Sequence, residues 1–167
     1  MLDFLTKTRS LVGLAIGAVG CAFAFYFLQR ALGASILDVL PHYNLDIVNA
    51  RISVYGEKGK WLYAFSALTL DTLFPLCYAG FSAGLVLRLL KSGRFYCSVP
   101  IALATVDWAE NIQIFIILFG YPDITEIQVA AASYTTQVKH VLIRMTLLLT
   151  LAVTVFGVTK KLFITKQ

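Results

Sequence analysis

The sequence predicts an all-α fold: a polytopic membrane protein with four transmembrane helices. Three observations carry this. Hydrophobic residues make up 59% of the chain and charged residues only 14%; mean hydropathy is +0.78; and most Lys and Arg residues stand at the ends of long apolar runs. A soluble domain is typically about 45–50% apolar and about 25% charged. So much apolar surface on 167 residues has no aqueous solution. The net charge of +5 forms no basic face, so nucleic acid is not an expected partner and membrane lipid is. The whole chain, 1–167, reads as one membrane domain.

The first span is expected at about 11–32, an uncharged run behind Lys7 and Arg9. Ala31-Leu-Gly33 resembles a signal-peptide cleavage site and Ala18-Val-Gly-Cys21 a lipobox. The apolar stretch is longer than the about 7–15 residues of a signal peptide, however, so a retained helix is expected. Gly13-x-x-x-Gly17 gives it a small-residue face for close packing, within the chain or in a homodimer. Residues 33–60 form an extramembrane segment. There Pro41 and Asn44 suggest a turn, and Leu45, Val48, Ile52 and Tyr55 recur at helical spacing. A short amphipathic helix at the membrane surface or over the bundle mouth is predicted between spans one and two. His42, among turn residues, is expected to be solvated.

The second span is expected at about 61–90, with Trp61 and Tyr63 in the interfacial aromatic belt. Asp71 lies about ten residues in, near the midplane at about 1.5 Å per residue. Tyr78 and Ser82 share its face, while Gly80-x-x-x-Gly84 lies mostly away and is a second candidate homodimer face. Pro75 removes one backbone hydrogen bond and is expected to kink the helix just past Asp71. Arg88, Lys91 and Arg94 flank a connection at Ser92-Gly93. The third span, about 99–120, tolerates Pro100 in its first turn. The fourth, about 124–160, follows an approximate capping box of Asp123 and Glu126. With the N-terminus inside, eight basic residues (Lys7, Arg9, Arg88, Lys91, Arg94, Lys160, Lys161 and Lys166) face the cytoplasm and four (Arg30, Arg51, Lys58 and Lys60) lie outside. The positive-inside rule then puts both termini in the cytoplasm. Cys21, Cys77 and Cys97 make no disulfide framework or metal spacing and read as buried thiols.

The chemistry concentrates in Val106-Asp-Trp-Ala-Glu-Asn-Ile-Gln113. Asp107, Glu110 and Asn111 fall on one helical face in the middle of an apolar run. An intramembrane charge costs between about 2.5 and more than 10 kcal/mol, so it needs partners. Asp71 is a third acid, and Lys139 and Arg144 are the matching bases; Thr136 and His140 share one stripe of the fourth helix with Lys139 and Arg144 on its flanks, and Tyr78 shares the Asp71 face of the second. Three acids against two fixed bases is close to the balance a buried cluster requires. The basic side chains lie nearer the outer surface, so a pocket open to the outside is expected. Carboxylates gathered at one depth suit acid/base work or proton-coupled binding. The same contacts can also simply fasten a bundle. No metal site is predicted, because His-x-x-x-His and Glu-x-x-His are absent. Nor is a cofactor: the count of histidines, with His42 outside, excludes haem held by facing pairs. No Gly-x-Ser-x-Gly nucleophile motif occurs.

Gly56-x-x-Gly59-Lys-x-x-Tyr63, Asp71-x-x-Phe74-Pro75-x-x-Tyr78-Ala79, Asp107-x-x-Glu110-Asn111 and Thr136-x-x-Lys139 together resemble a pattern in small, mostly bacterial four-helix membrane proteins of uncharacterised activity. The resemblance covers about residues 40–145 and implies that Asp71, Asp107, Glu110, Asn111 and Lys139 belong together, in a bacterial cytoplasmic membrane. The sterol-isomerase-like and sigma-2-receptor-like families share the size, layout and buried acids but not the motifs, a likeness of architecture alone. The expected function is binding of a small or lipid-like ligand in the acidic–basic pocket, with acid/base chemistry an option. The alternatives are a proton- or cation-coupled transporter acting as a dimer and a structural subunit of a membrane complex.

Overall fold

The structure, a computed structural model, describes residues 4–90 and 94–164. Among these every regular element is helical: α1 (Thr8–Leu32), a 3-10 turn (Leu37–Val39), α2 (Leu45–Leu68), α3 (Leu70–Leu89), α4 (Ser98–Gly120) and α5 (Glu126–Ile164). Four stretches are long and apolar enough to cross a membrane: α1, the α2–α3 run from Leu45 to Leu89, α4, and α5 as far as Gly157. The connection expected at Lys91–Gly93 lies outside the described residues, as does Lys166.

α1 begins just behind Lys7, carries Arg9 in its first turn and stops at Gly33, whose φ of 71° lets its N–H turn back to the Arg30 carbonyl. α1 packs chiefly on α3, and glycines set the approach. A Cβ on Gly17 would stand 2.8 Å from Cys77 Sγ, one on Gly80 3.4 Å from Leu14, and one on Gly84 2.6 Å from the Leu5 carbonyl oxygen. Gly17, Gly80 and Gly84 are therefore used within the chain. The Gly80/Gly84 face considered for a dimer is covered by α1, while Gly13 remains open. At the same end Arg88 donates to Thr8 Oγ1 at 3.1 Å and Gly157 sits against Leu89.

The helix expected between the first two spans is present over residues 45–55. α2 starts on an Asn44 cap, whose side chain accepts from the Ile47 N–H at 3.0 Å. Its helical geometry is interrupted at Gly56, beyond which a second helix runs on into the membrane-length stretch. Gly56 adopts φ 64° and ψ 178°, a conformation essentially restricted to glycine, and re-aims the helix there. Val48, Ile52 and Tyr55 recur at helical spacing and are buried against Ile114, Ile117 and Leu118 of α4 and Val129 and Ala132 of α5. Residues 45–55 thus lie over one end of the bundle.

The single second span expected at 61–90 is two helices. The break falls at Thr69 (φ −114°, ψ −75°), before Asp71, and not past it at Pro75. Pro75 stays inside α3. At the start of α5 the capping box lies two residues further on than expected. Thr125 Oγ1 accepts from the Gln128 N–H at 3.2 Å, and Gln128 Oε1 accepts from the Thr125 N–H at 2.8 Å. The three cysteines are buried.

Candidate functional site

α4 and α5 make the most extensive helix pair, and their facing sides carry the polar residues. Asp107, Glu110 and Asn111 are buried on α4, and Ser133, Thr136 and Lys139, at three-residue intervals, on α5. Lys139 is the hub. Its Nζ is ion-paired with Glu110 and lies 3.4 Å from Asp107 Oδ1 and 3.7 Å from Asp38 Oδ2. Glu110 is 0% exposed; its other oxygen accepts from Thr136 Oγ1. Thr136 Oγ1 in turn lies 3.2 Å from the Tyr43 hydroxyl. Burial pushes the Tyr43 phenol well above its ordinary range, so it stays a neutral donor there. Asp107 Oδ2 accepts from Tyr78 Oη at 2.5 Å.

Asp71 is held differently. Pro75 has no N–H, so the Asp71 carbonyl lacks its helical partner four residues on. Asn111 Nδ2 donates to that carbonyl at 2.8 Å. The proline is tolerated inside α3 because α4 supplies the missing donor. A double-mutant cycle tests this: Asn111→Leu should cost about 1–3 kcal/mol in the Pro75 background, the penalty for an orphaned buried acceptor. With Pro75→Ala, whose N–H can reach the same carbonyl, the cost should shrink by about half or more. Equal costs in thermal unfolding of the two backgrounds would show that the two residues act separately.

The Asp71 side chain points into a cavity of about 320 Å³, beside Asp38, Tyr78, Asp107, Lys139 and His140. Asp71 is 2% exposed, and its Oδ2 is buried with no hydrogen-bond partner. The end of the bundle from which an outward mouth would open is covered by Ile36, Leu37, Asp38 and Tyr43, all buried. The exposed lining comes instead from Ala22 of α1 and Val39. α1 is held by α3 and α2, and α5 by α4 and α3, which leaves a cleft between α1 and α5.

Most of the residues singled out in the sequence meet here: Asp71, Tyr78, Asp107, Glu110, Asn111, Thr136 and Lys139 are in or beside the cluster, and His140 lines the cavity, half-buried. Arg144 does not join them. It is exposed and makes no ion pair among the described residues, because its position on α5 turns it away from Lys139. Two residues were not anticipated. Asp38, from the segment read as extramembrane, is buried against Lys139. Tyr63, assigned to the interfacial belt, is 0% exposed; its hydroxyl accepts from the Leu37 N–H at 3.0 Å and donates to Asp38 Oδ1 at 3.4 Å. His42, expected free in solvent, is exposed but bonded through Nδ1 to Ser133 Oγ at 3.1 Å.

These changes alter the charge count. Asp38 enters and Arg144 leaves, so the expected near balance becomes four carboxylates around one ammonium. Among the described residues no three His, Cys, Asp or Glu side chains are placed to hold a metal ion. Comparison of the chain with family models, curated proteins and solved structures finds no match.

Proposed function

We propose that this is an integral protein of the bacterial cytoplasmic membrane, with both termini inside, that binds a small or lipid-like ligand bearing a positive charge in the cavity between α1 and α5. The observation that carries the reading is Asp71. A buried carboxylate whose Oδ2 has no partner lines an open cavity, and an unpaired buried acceptor is costly. A donor cation removes that cost. The gathering of four carboxylates about one ammonium favours the same class of ligand. Tyr78 and Asp107, bonded to each other on the cavity wall, are placed to exchange a proton with a bound ligand.

The test uses purified protein in lipid nanodiscs, with hexylamine as the small cation and hexanol as its neutral match. Wild type should bind hexylamine saturably and show no saturable binding of hexanol. Asp71→Asn keeps the shape but cannot ionise, and should weaken hexylamine binding at least tenfold. Unchanged binding in Asp71→Asn, or no saturable hexylamine binding at all, would overturn the reading.

A further inference from the structure

A second cavity adjoins the first. It has a volume of about 270 Å³ and lies between α3, α4 and α5, lined by Phe81, Leu103, Thr146 and Leu147 among others. Phe74, Tyr78 and Ile143 line both cavities, so the two are separated by the thickness of those side chains only. Their chemistries differ sharply. The first holds the carboxylates and Lys139. The second is apolar apart from hydroxyls; Ser82 and Thr150 satisfy each other at 2.6 Å, and Thr146 Oγ1 is buried without a hydrogen-bond partner. No charged side chain lines it.

From this juxtaposition we infer that the ligand is a single-chain amphiphile with an amine head: the ammonium sits against Asp71 and Asp107, and the alkyl chain fills the cavity of Leu103 and Thr146. The inference rests on the proposed cation site and names its substrate class. Charge complementarity chooses the head, because an acidic pocket with one ammonium repels phosphate and carboxylate heads. The apolar annex chooses the tail, because an apolar cavity of this kind takes up hydrocarbon in preference to water. The first cavity reaches the surface at Ala22 and Val39, and the second at Leu147. α1 turns Val19, Phe23 and Phe27 outward and α5 turns Val141, Leu148 and Leu151 outward, so the cleft between them is flanked by surfaces suited to acyl chains. A lipid-borne amine can enter from the bilayer without crossing the covered end of the bundle.

The test compares hexylamine, decylamine and dodecylamine on the full chain in nanodiscs, with affinities expressed against free aqueous amine. Affinity should rise about fourfold per methylene while the annex fills, the increment for burying one CH₂. A tail lying in the surrounding lipid would give a similar rise, so a second arm locates it. Thr146→Phe fills the annex and should bring dodecylamine down towards the affinity of hexylamine. Because that variant can fail to fold, dodecylamine carrying a terminal diazirine is photolysed on the wild-type protein as well. Adducts on Phe81, Leu103 or Thr146 support the inference. Adducts confined to Leu148 and Leu151, or dodecylamine binding unaffected by Thr146→Phe, overturn it while leaving the hexylamine site standing. Absence of saturable hexylamine binding removes the cation site itself, and this inference with it.

Discussion

Lys139→Met is expected to destabilise the protein by about 3–5 kcal/mol, the usual cost of removing one partner from a buried ion pair. The side chain holds Glu110, Asp107 and Asp38 together, and no other cation reaches these carboxylates among the described residues. Methionine fills the volume, so the loss reads out charge and not packing. The double variant Lys139→Met, Glu110→Gln should recover a large part of the loss, since the nearest carboxylate then no longer needs a counter-ion. Unfolding in detergent, followed by helical circular dichroism, measures both. If the single variant unfolds like wild type, the buried charges are already neutral and Lys139 is not the hub.

Tyr63→Phe should cost about 2–4 kcal/mol although it removes a single oxygen. That oxygen serves two buried groups, the Leu37 N–H and Asp38 Oδ1. Each group left alone forfeits about 1–3 kcal/mol. The effect should be local to the turn at Leu37–Val39: amide hydrogen exchange there should accelerate while α4 keeps its protection. A loss of under about half a kcal/mol would mean that water replaces the hydroxyl and that Asp38 is less well sealed than its burial indicates.

What the sequence made legible follows from the contrast between charge and hydrocarbon. Asp71, Asp107, Glu110 and Lys139 stand out because an ionisable residue inside an apolar run has few acceptable places, and helical spacing puts Asn111 with them. Asp38 gives no such contrast. It sits in a short stretch with Pro41 and Gly33 nearby and no periodicity, where an acid reads as solvated, and only the fold brings it under α5. Tyr63 misled because a tyrosine near a span end suits the interface equally well. Arg144 was drawn in by counting along α5, but five residues from Lys139 is more than one turn and faces away. The continuity of α3 through Pro75 rests on Asn111, which supplies the missing donor. That contact spans 40 residues and has no local signal. The break at Thr69 has no local signal of that kind either: no Gly or Pro stands at that position.

The distribution of the cluster along the chain has a consequence for biosynthesis. Asp38, Asp71, Asp107 and Glu110 all precede Lys139, and a chain is made from its N-terminus onward. Every carboxylate of the site is therefore polymerised before Lys139, its counter-ion among the described residues. While α5 is still being made, these acids have only bound protons, water or the insertion machinery to keep them from facing hydrocarbon as ions. Docking of the last helix is then the event that assembles the electrostatics.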